Sequence, residues 1–282
     1  MIGITIQCRL GNQLFQYAFI TALAKKLNTD FFLNEKINDF SASKYFDFKG
    51  VNKVKNRFNQ LYFKFAKSPF KTLSHIEVND SNVPESQMKI LEDNQIYSGY
   101  FQSEDYFRNI SKEIQSLITI KKRYIEEFNA LYSNIYKNNK VIAIHIRKGD
   151  YLNLDNWWEQ HLGSPNLSLP NSYYLDCLGK IHNITDYQII FVSDEIEKVK
   201  EDFKDIRNAT FSENNLIIDF QIIMNADICI ISNSSFSWWA SYLNPKIKKQ
   251  ILCPEFWLGF KIQKEYPPNI IPPSWNKIRV NF

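Results

Sequence analysis

The sequence predicts an α/β protein built on parallel sheets. Short runs of β-branched and aliphatic residues alternate with longer amphipathic segments along the 282 residues, and this alternation is typical of strands joined by crossover helices. A chain of this length accommodates two domains of ordinary size or one large domain. The polar run at residues 138–140 is the best boundary, and it divides a domain over 1–138 from a domain over 139–282.

The first half opens with a strand, a turn and a helix. Residues 2–6 read as the strand, and the turn at 9–13 contains Gly11, which relaxes the backbone, and Asn12, which can cap the following helix. Strand, glycine-containing turn and helix is also the arrangement that aims backbone amides at an anion. The other predicted elements of this half are strands over 30–33 and 96–101 and helices over 103–118 and 121–137.

A basic and aromatic stretch without any acidic residue runs from Lys53 to Lys71. Two interpretations stay open. The stretch is either a basic amphipathic surface that touches a membrane or a lipid-linked acceptor, or a solvated helix whose aromatic side packs on the core.

In the second half, polar clusters follow three predicted strands. The strand over 141–146 delivers His145 and Arg147, and the strand over 187–192 ends at Ser193 and Asp194. The strand over 226–231 is followed by a serine cluster, Ser232, Ser234 and Ser235. Further elements are predicted over 171–182, 195 onward, 216–225, 238–243 and 250–253. Ligands of open α/β sheets bind beyond the carboxyl ends of the strands.

Arg147 is suited to phosphate because a guanidinium is rigid, permanently charged and bidentate. The alternative is a structural ion pair between Arg147 and Asp150. The serine cluster stands at a helix start, where free amides converge on an anion, although a helix cap with spare serines is the alternative there. Together the two features predict a diphosphate site.

Several other function classes are excluded or disfavoured. The net charge of +4 tolerates anionic substrates but is not that of a dedicated nucleic-acid binder. Dinucleotide-binding GxGxxG, the P-loop, zinc-ligand spacings and Asp-X-Asp are absent from the sequence. Scattered cysteines and the absence of a targeting or membrane-spanning segment predict a cytoplasmic protein, at most peripheral at the inner membrane.

Five motifs carry a family resemblance. They are RLGNQLFQYA at 9–18, GYFQSE at 99–104, HIRKGDY at 145–151, FVSD at 191–194 and SNSSFSWW at 232–239. In this order they resemble the bacterial α-1,2-fucosyltransferases of glycosyltransferase family 11, which are similar to the protein O-fucosyltransferases and the α-1,6-fucosyltransferases.

The resemblance implies a GT-B fold with two Rossmann-like domains facing across a cleft. It implies transfer of fucose from GDP-L-fucose to the 2-hydroxyl of a terminal β-galactoside on an oligosaccharide or lipid-linked glycan, with inversion and with no cofactor or metal. Arg147 then contacts the diphosphate and Asp219 the guanine edge. The implied substrate-binding residues are Gly11, Asn12, Gln13, Ser193, Asp194, Asn233, Ser234, Ser235 and Phe236.

Three questions are left open by the resemblance. Lys148 stands where the family usually has a second Arg, and it should point away from Arg147 because side chains alternate along a strand. Asp150 is the preferred general base, with His145, Glu104 and Glu159 as alternatives. The chain can also be a GDP-sugar transferase of different linkage, or a nucleotide-sugar or carbohydrate-binding protein without turnover.

Overall fold

The computed structural model describes residues 1–34, 40–66, 74–79 and 81–281. The chain forms two compact units, one of Met1–Lys121 with Pro267–Ile270 and one of Lys122–Tyr266 with Ile271–Phe282. The boundary expected at 138/139 therefore lies one helix later than this division. The helix over 122–138 packs within the second unit, because the Tyr136 hydroxyl donates to the Ile222 carbonyl at 2.6 Å.

The first unit is built on a parallel sheet. Its elements are β1 (Ile2–Ile4), α1 (Leu10–Lys26), β2 (Phe31–Leu33), β3 (Phe46–Phe48), α2 (Lys53–Ala66), β4 (His75–Glu77), α3 (Pro84–Ile90), β5 (Ile96–Ser98), α4 (Ser111–Leu117) and β6 (Ile118–Ile120). In the part of the chain that the structure describes, the parallel sheet has the order β2-β1-β5-β4, and β3 pairs with β6 antiparallel. Residues 67–71 of the basic stretch lie outside the described residues.

Helix α1 begins earlier than the sequence pattern indicates. It starts at Leu10 with Arg9 at the N-cap, so Asn12 lies inside the first turn and the prediction that it caps the helix is wrong. The tight turn falls instead at Cys8, where φ is +63°. The helix is buried on nearly every side. Its apolar residues accordingly lie all around the helix and are not confined to one face.

The single helix predicted over 103–118 is also wrong. Two short 3₁₀ turns, Glu104–Tyr106 and Arg108–Ile110, precede α4, because the backbone leaves the helical region at Phe107 (φ −137°). Ser103 starts this path: its Oγ accepts from the Asp105 amide at 3.1 Å and donates to the Asn269 carbonyl at 2.6 Å.

The second unit is a longer α/β run. Its elements are α5 (Lys122–Asn138), β7 (Lys140–Ile146), α6 (Asn156–Leu162), α7 (Asn171–Gly179), β8 (Tyr187–Ser193), α8 (Ile196–Asp202), β9 (Ala209–Phe211), α9 (Leu216–Met224), β10 (Ile228–Ile230), α10 (Ser235–Tyr242), β11 (Gln250–Pro254) and β12 (Asn276–Ile278). Its strands pair in parallel in the order β12-β11-β10-β7-β8-β9. The winding direction therefore reverses between β7 and β10, which is where ligands bind in such sheets.

Candidate functional site

The reversal point of the second sheet is marked by a buried hydrogen bond. His145 lies one residue before the end of β7 and is 5% exposed. Its Nδ1 lies 2.8 Å from the Oγ of Ser232, which follows β10. The ends of two neighbouring strands, β7 and β10, are thus tied together at the edge where a ligand is expected.

His145 is held as a neutral imidazole. Burial, and to a lesser degree the charge of Arg147, lowers its pKa to about 3. A group with so low a pKa is poorly suited to remove a proton from an acceptor at neutral pH. Its ring lies 5.4 Å from the Phe236 ring, so His145 contacts both Ser232 and Phe236.

Arg147 is fixed between two carboxylates. Its Nη1 lies 2.9 Å from Asp194 Oδ2, and its Nη2 pairs with Asp150 Oδ1. The structural ion pair considered above is therefore present, but it does not use up the guanidinium, which has five N–H donors. The two carboxylates hold the guanidinium plane in one orientation.

Lys148 is engaged elsewhere. Its Nζ pairs with Asp202, and this hydrogen bond is the main reason that the pKa of Asp202 is lowered. Its backbone N–H donates to Asp194 Oδ1 at 3.0 Å. Asp194 thus holds both the Arg147 side chain and the next peptide group, while the lysine charge is directed to a different partner from that of Arg147.

Gly149 is required by the clamp that Asp194 and Asp150 form on Arg147. Its φ is +25°, and a Cβ at this position would lie 2.2 Å from Asp194 Oδ2. We expect Gly149→Ala to displace Asp194 and with it the Arg147 guanidinium, lowering kcat/KM by roughly tenfold or more, since a misplacement of about 1 Å in a site costs as much or more. Steady-state kinetics of the purified variant measure this.

Gly179→Ala is the matched control. Gly179 ends α7, and no atom lies within 4 Å of an added Cβ. Alanine favours helices over glycine by about 0.5–1 kcal/mol, so this variant should be as stable as the parent or more so, with unchanged kinetics. Equal activity of the two variants would show that Gly149 is not needed to position Arg147.

The serine cluster forms the start of α10. Ser234 is the N-cap, with extended backbone angles and no side-chain capping bond, so the interpretation of these serines as a simple cap is not supported. Ser235 and Phe236 occupy the first turn, because the helix begins at Ser235 and not at Trp238 as predicted. The first amides of a helix have no intrahelical partner and carry the positive end of its dipole, so this start can receive an anion.

Two other predicted residues make local bonds. The Ser193 Oγ accepts from the Glu195 amide at 3.0 Å, which shapes the turn after β8. Asn233 is 1% exposed and its Nδ2 donates to the Leu167 carbonyl at 2.9 Å. Both side chains thereby support the loops around the site.

Asp219 lies on α9. It is 9% exposed and accepts a hydrogen bond from the Ser212 hydroxyl. Burial raises its pKa to about 7, against the lowering effect of Ser212. Its neighbour Phe220 packs edge-on against Phe236 with ring centroids 5.4 Å apart, so α9, α10 and β7 are connected through a chain of ring contacts that ends at His145.

The predicted residues of the first unit lie in the first turn of α1. Gln13 is 3% exposed: its Nε2 donates to the Cys8 carbonyl at 3.0 Å and its Oε1 accepts from the Ala42 amide at 2.9 Å. Its amide group therefore fastens the loop before α1. Gly11 is buried, while the half-buried Asn12 accepts a hydrogen bond from Gln102 Nε2 at 2.7 Å. The Asn12–Gln102 pair is therefore the more accessible candidate for contact with a substrate.

Sequence reasoning omitted Ser212 and Ser232 from the site residues. Ser232 directly follows a predicted strand and stood within the serine cluster, so its position at a strand end was a usable signal. Ser212 directly follows β9, a strand that was not predicted, and nothing in the local pattern marked it. Within the described ranges no group of three or more His, Cys, Asp or Glu residues is arranged to hold a metal ion.

The sequence matches the family model described as glycosyl transferase family 11 over residues 1–278. It is 25% identical over 291 residues to the O-antigen biosynthesis glycosyltransferase WbnK of Escherichia coli, covering 89% of this chain and 92% of that protein. It is 26% identical over 188 residues to an alpha-1,2-colitosyltransferase of Escherichia coli, covering 64% of this chain and 62% of that protein.

Solved structures share the fold. NodZ alpha-1,6-fucosyltransferase soaked with GDP-fucose gives a TM-score of 0.54 at 13% identity, covering 86% of this chain and 92% of that one; NodZ comes from Bradyrhizobium. POFUT1 in complex with GDP gives 0.51 at 15% identity, covering 89% and 96%. These likenesses confirm the predicted α/β fold of GT-B type with parallel sheets.

Proposed function

This chain belongs to glycosyl transferase family 11, and from that membership we propose that it moves L-fucose from GDP-L-fucose to the 2-hydroxyl of a terminal β-galactoside, with inversion at the anomeric carbon. The relatives named for O-antigen biosynthesis and for an alpha-1,2 linkage support a surface polysaccharide as the product and the 2-hydroxyl as the acceptor atom. The likeness to NodZ and POFUT1 structures holding GDP-fucose or GDP supports the donor.

The observation that carries the proposal is the placement of Arg147 at the reversal point of the second sheet. The guanidinium is oriented by Asp194 and Asp150, and the tie between His145 and Ser232 joins its strand to the segment that leads into α10. A diphosphate bound here would meet a fixed cation and the positive end of a helix. Asp219 would accept from the guanine N–H groups, which is the pairing that an anionic carboxylate makes with that edge.

In the proposed reaction the bond between the anomeric carbon and the GDP oxygen breaks as the acceptor oxygen attacks from the opposite face. Negative charge then develops on the departing diphosphate. Arg147 and the first amides of α10 stabilise this charge without a metal ion, because pre-oriented donors stabilise developing charge without reorganising. The acceptor hydroxyl loses its proton to a base or to solvent.

We propose Asp150 as that base. Its carboxylate is about half exposed and lies against Arg147, whereas His145 is buried with a pKa near 3. Asp150→Asn should lower kcat by roughly 10²–10⁴-fold, the usual contribution of a general base. The donor KM should change less, because Asp194 still holds the Arg147 guanidinium. A kcat within threefold of the parent, with the same pH profile, would exclude Asp150 as the base.

The proposed function is tested by incubating the protein with GDP-L-fucose and lactose and identifying the product. We expect GDP release that depends on lactose, a fucose α-linked at the galactose 2-position by methylation analysis and NMR, and an unchanged rate in EDTA. Product fucosylated at another hydroxyl would correct the linkage. Loss of activity in EDTA would contradict the metal-free mechanism, and tight GDP binding without turnover would indicate a binding protein.

A second donor is favoured by one comparison. The relative named alpha-1,2-colitosyltransferase makes GDP-colitose, whose sugar is fucose without the 3-hydroxyl, a candidate. Comparison of kcat/KM for the two donors separates them. A site that hydrogen-bonds the 3-hydroxyl should reject the deoxy sugar strongly, whereas an apolar wall there would not.

A further inference from the structure

Helix α2 has a polar face turned toward the protein. Asn56 and Asn59 are 7% and 3% exposed. The Leu33 amide donates to Asn56 Oδ1 at 2.7 Å, Asn56 Nδ2 donates to the Leu33 carbonyl at 3.1 Å, and Asn59 Nδ2 donates to the Phe31 carbonyl at 3.1 Å. Because β2 is an edge strand of its sheet, these amides satisfy backbone groups that have no strand partner on that side.

Four apolar side chains of α2 consequently face outward. Val54 is 82% exposed, Phe58 65%, Leu61 46% and Tyr62 54%, and their spacing places them on one stripe of the helix. Phe58 and Tyr62 stack on each other with ring centroids 6.4 Å apart. Packing of the aromatic side on the core, one of the two interpretations of this stretch, applies to Phe63, which is 3% exposed, but not to these four residues.

Basic side chains flank the apolar stripe. Arg57 and Lys64 are exposed, and Lys55 is about half exposed while pairing with Asp30 at 2.9 Å. No acidic residue occurs between Lys53 and Lys71. A stripe of exposed apolar and aromatic side chains bordered by cations is the pattern of a helix that lies in a lipid interface, and the positive charge is complementary to anionic headgroups.

We propose that α2 docks this protein on an anionic lipid surface. Val54, Phe58, Leu61 and Tyr62 enter the boundary between headgroups and acyl chains, and the basic residues contact lipid phosphates. A second copy of the chain fits the patch less well, because two surfaces with an excess of basic residues repel each other. None of the helices in the described ranges combines the length and hydropathy needed to traverse a bilayer, so the contact is peripheral. The inference does not depend on the proposed function.

Co-sedimentation with vesicles tests the docking. The full chain should bind vesicles of phosphatidylcholine with phosphatidylglycerol at low salt, and bind roughly tenfold less to phosphatidylcholine alone or at 0.5 M salt. Phe58→Ser/Tyr62→Ser and Arg57→Glu/Lys64→Glu should each weaken binding by about tenfold or more. The matched controls are Ile247→Ser, at a side chain that is 99% exposed, and Lys180→Glu/Lys204→Glu, at two exposed lysines.

Each outcome decides the proposal. Because the substituted side chains are exposed, the melting temperature of each variant should stay within a few degrees of the parent. A large loss of stability in Phe58→Ser/Tyr62→Ser would show that the stripe is packed and would overturn the docking surface. So would equal binding of the α2 variants and their controls, or a dimer in light scattering that the Phe58→Ser/Tyr62→Ser change dissociates.

Discussion

Arg147→Ala should lower the rate of transfer by about two to four orders of magnitude. A charged hydrogen bond contributes roughly 1.5–3 kcal/mol, so the loss of two such bonds to the leaving diphosphate lowers kcat/KM by about 10²–10⁴-fold. Arg147→Lys should recover only part of this, because a lysine keeps the charge but loses the planar fork. Initial rates of GDP release with saturating lactose measure both variants.

Arg207→Ala is the matched control for Arg147. Arg207 is an exposed residue of the same unit and should give parental rates. Since the Arg147 ion pairs involve partly exposed carboxylates (26% for Asp194 and 46% for Asp150), their loss should change the melting temperature little. A well-folded Arg147→Ala protein with near-parental kcat would end the assignment of Arg147 to the diphosphate.

Asp219→Asn should weaken donor binding while leaving the protein at least as stable as the parent. An asparagine accepts through one oxygen and directs an NH₂ group at the guanine N–H donors, so the KM for GDP-fucose should rise by roughly 10–100-fold with a smaller change in kcat. The Ser212 hydroxyl can still donate to the asparagine oxygen. Asp205→Asn, at an exposed position of the same unit, is the control.

The kcat/KM of the parent for the donor should fall at acidic pH. The pKa of Asp219 is raised to about 7, so the carboxyl takes up a proton as the pH falls through neutrality, and a neutral carboxyl is a poorer acceptor. kcat/KM for the donor should therefore fall below about pH 7 in the parent, since this parameter follows the free enzyme. The Asn variant should lack that limb.

Stability changes in the opposite direction with pH. Between the ordinary pKa of 3.8 and about 7, the folded state holds a proton that the unfolded state has released, so the free energy of unfolding falls as the pH rises through this window. Asp219→Asn removes this loss of stability. The difference in the free energy of unfolding between the variant and the parent should therefore reach its full size above about pH 7. Urea unfolding at pH 4 and pH 8 measures the difference.

A double-mutant cycle with inhibitors tests the contact between Asp219 and the guanine 2-amino group. Inosine diphosphate lacks the 2-amino group of GDP, so replacing GDP by inosine diphosphate should weaken inhibition of the parent more than inhibition of Asp219→Asn. Equal losses in both proteins would show that Asp219 does not contact the 2-amino group.

The strand ends that define the candidate site follow from local pattern. The β-branched run before His145 and the polar residues after it predict a strand and its terminus, and β7 is observed over Lys140–Ile146. The clamp on Arg147 does not follow in the same way. It depends on the register that places Ile146 opposite Ser193, and periodicity along one strand carries no information about its partner.

Two short edge strands were not predicted from the sequence. β9 and β12 have three residues each with partly exposed side chains, so their hydrophobic pattern is too short to distinguish them from loops. The omission of β9 concealed Ser212 and therefore the environment of Asp219. The role of Gln13 was concealed for a related reason, since its partners at Ala42 and Cys8 are brought together by tertiary folding and not by helical spacing.

The return of residues 267–270 to the first unit limits how the gene can be divided. Asn269 accepts from Ser103 through its carbonyl and donates to Asp105 through Nδ2 at 2.8 Å. An amino-terminal fragment ending at Lys121 would leave Ser103 and Asp105 without these partners. Expression of the first unit alone would therefore require residues 267–270 as well, for example fused through a short linker after Lys121.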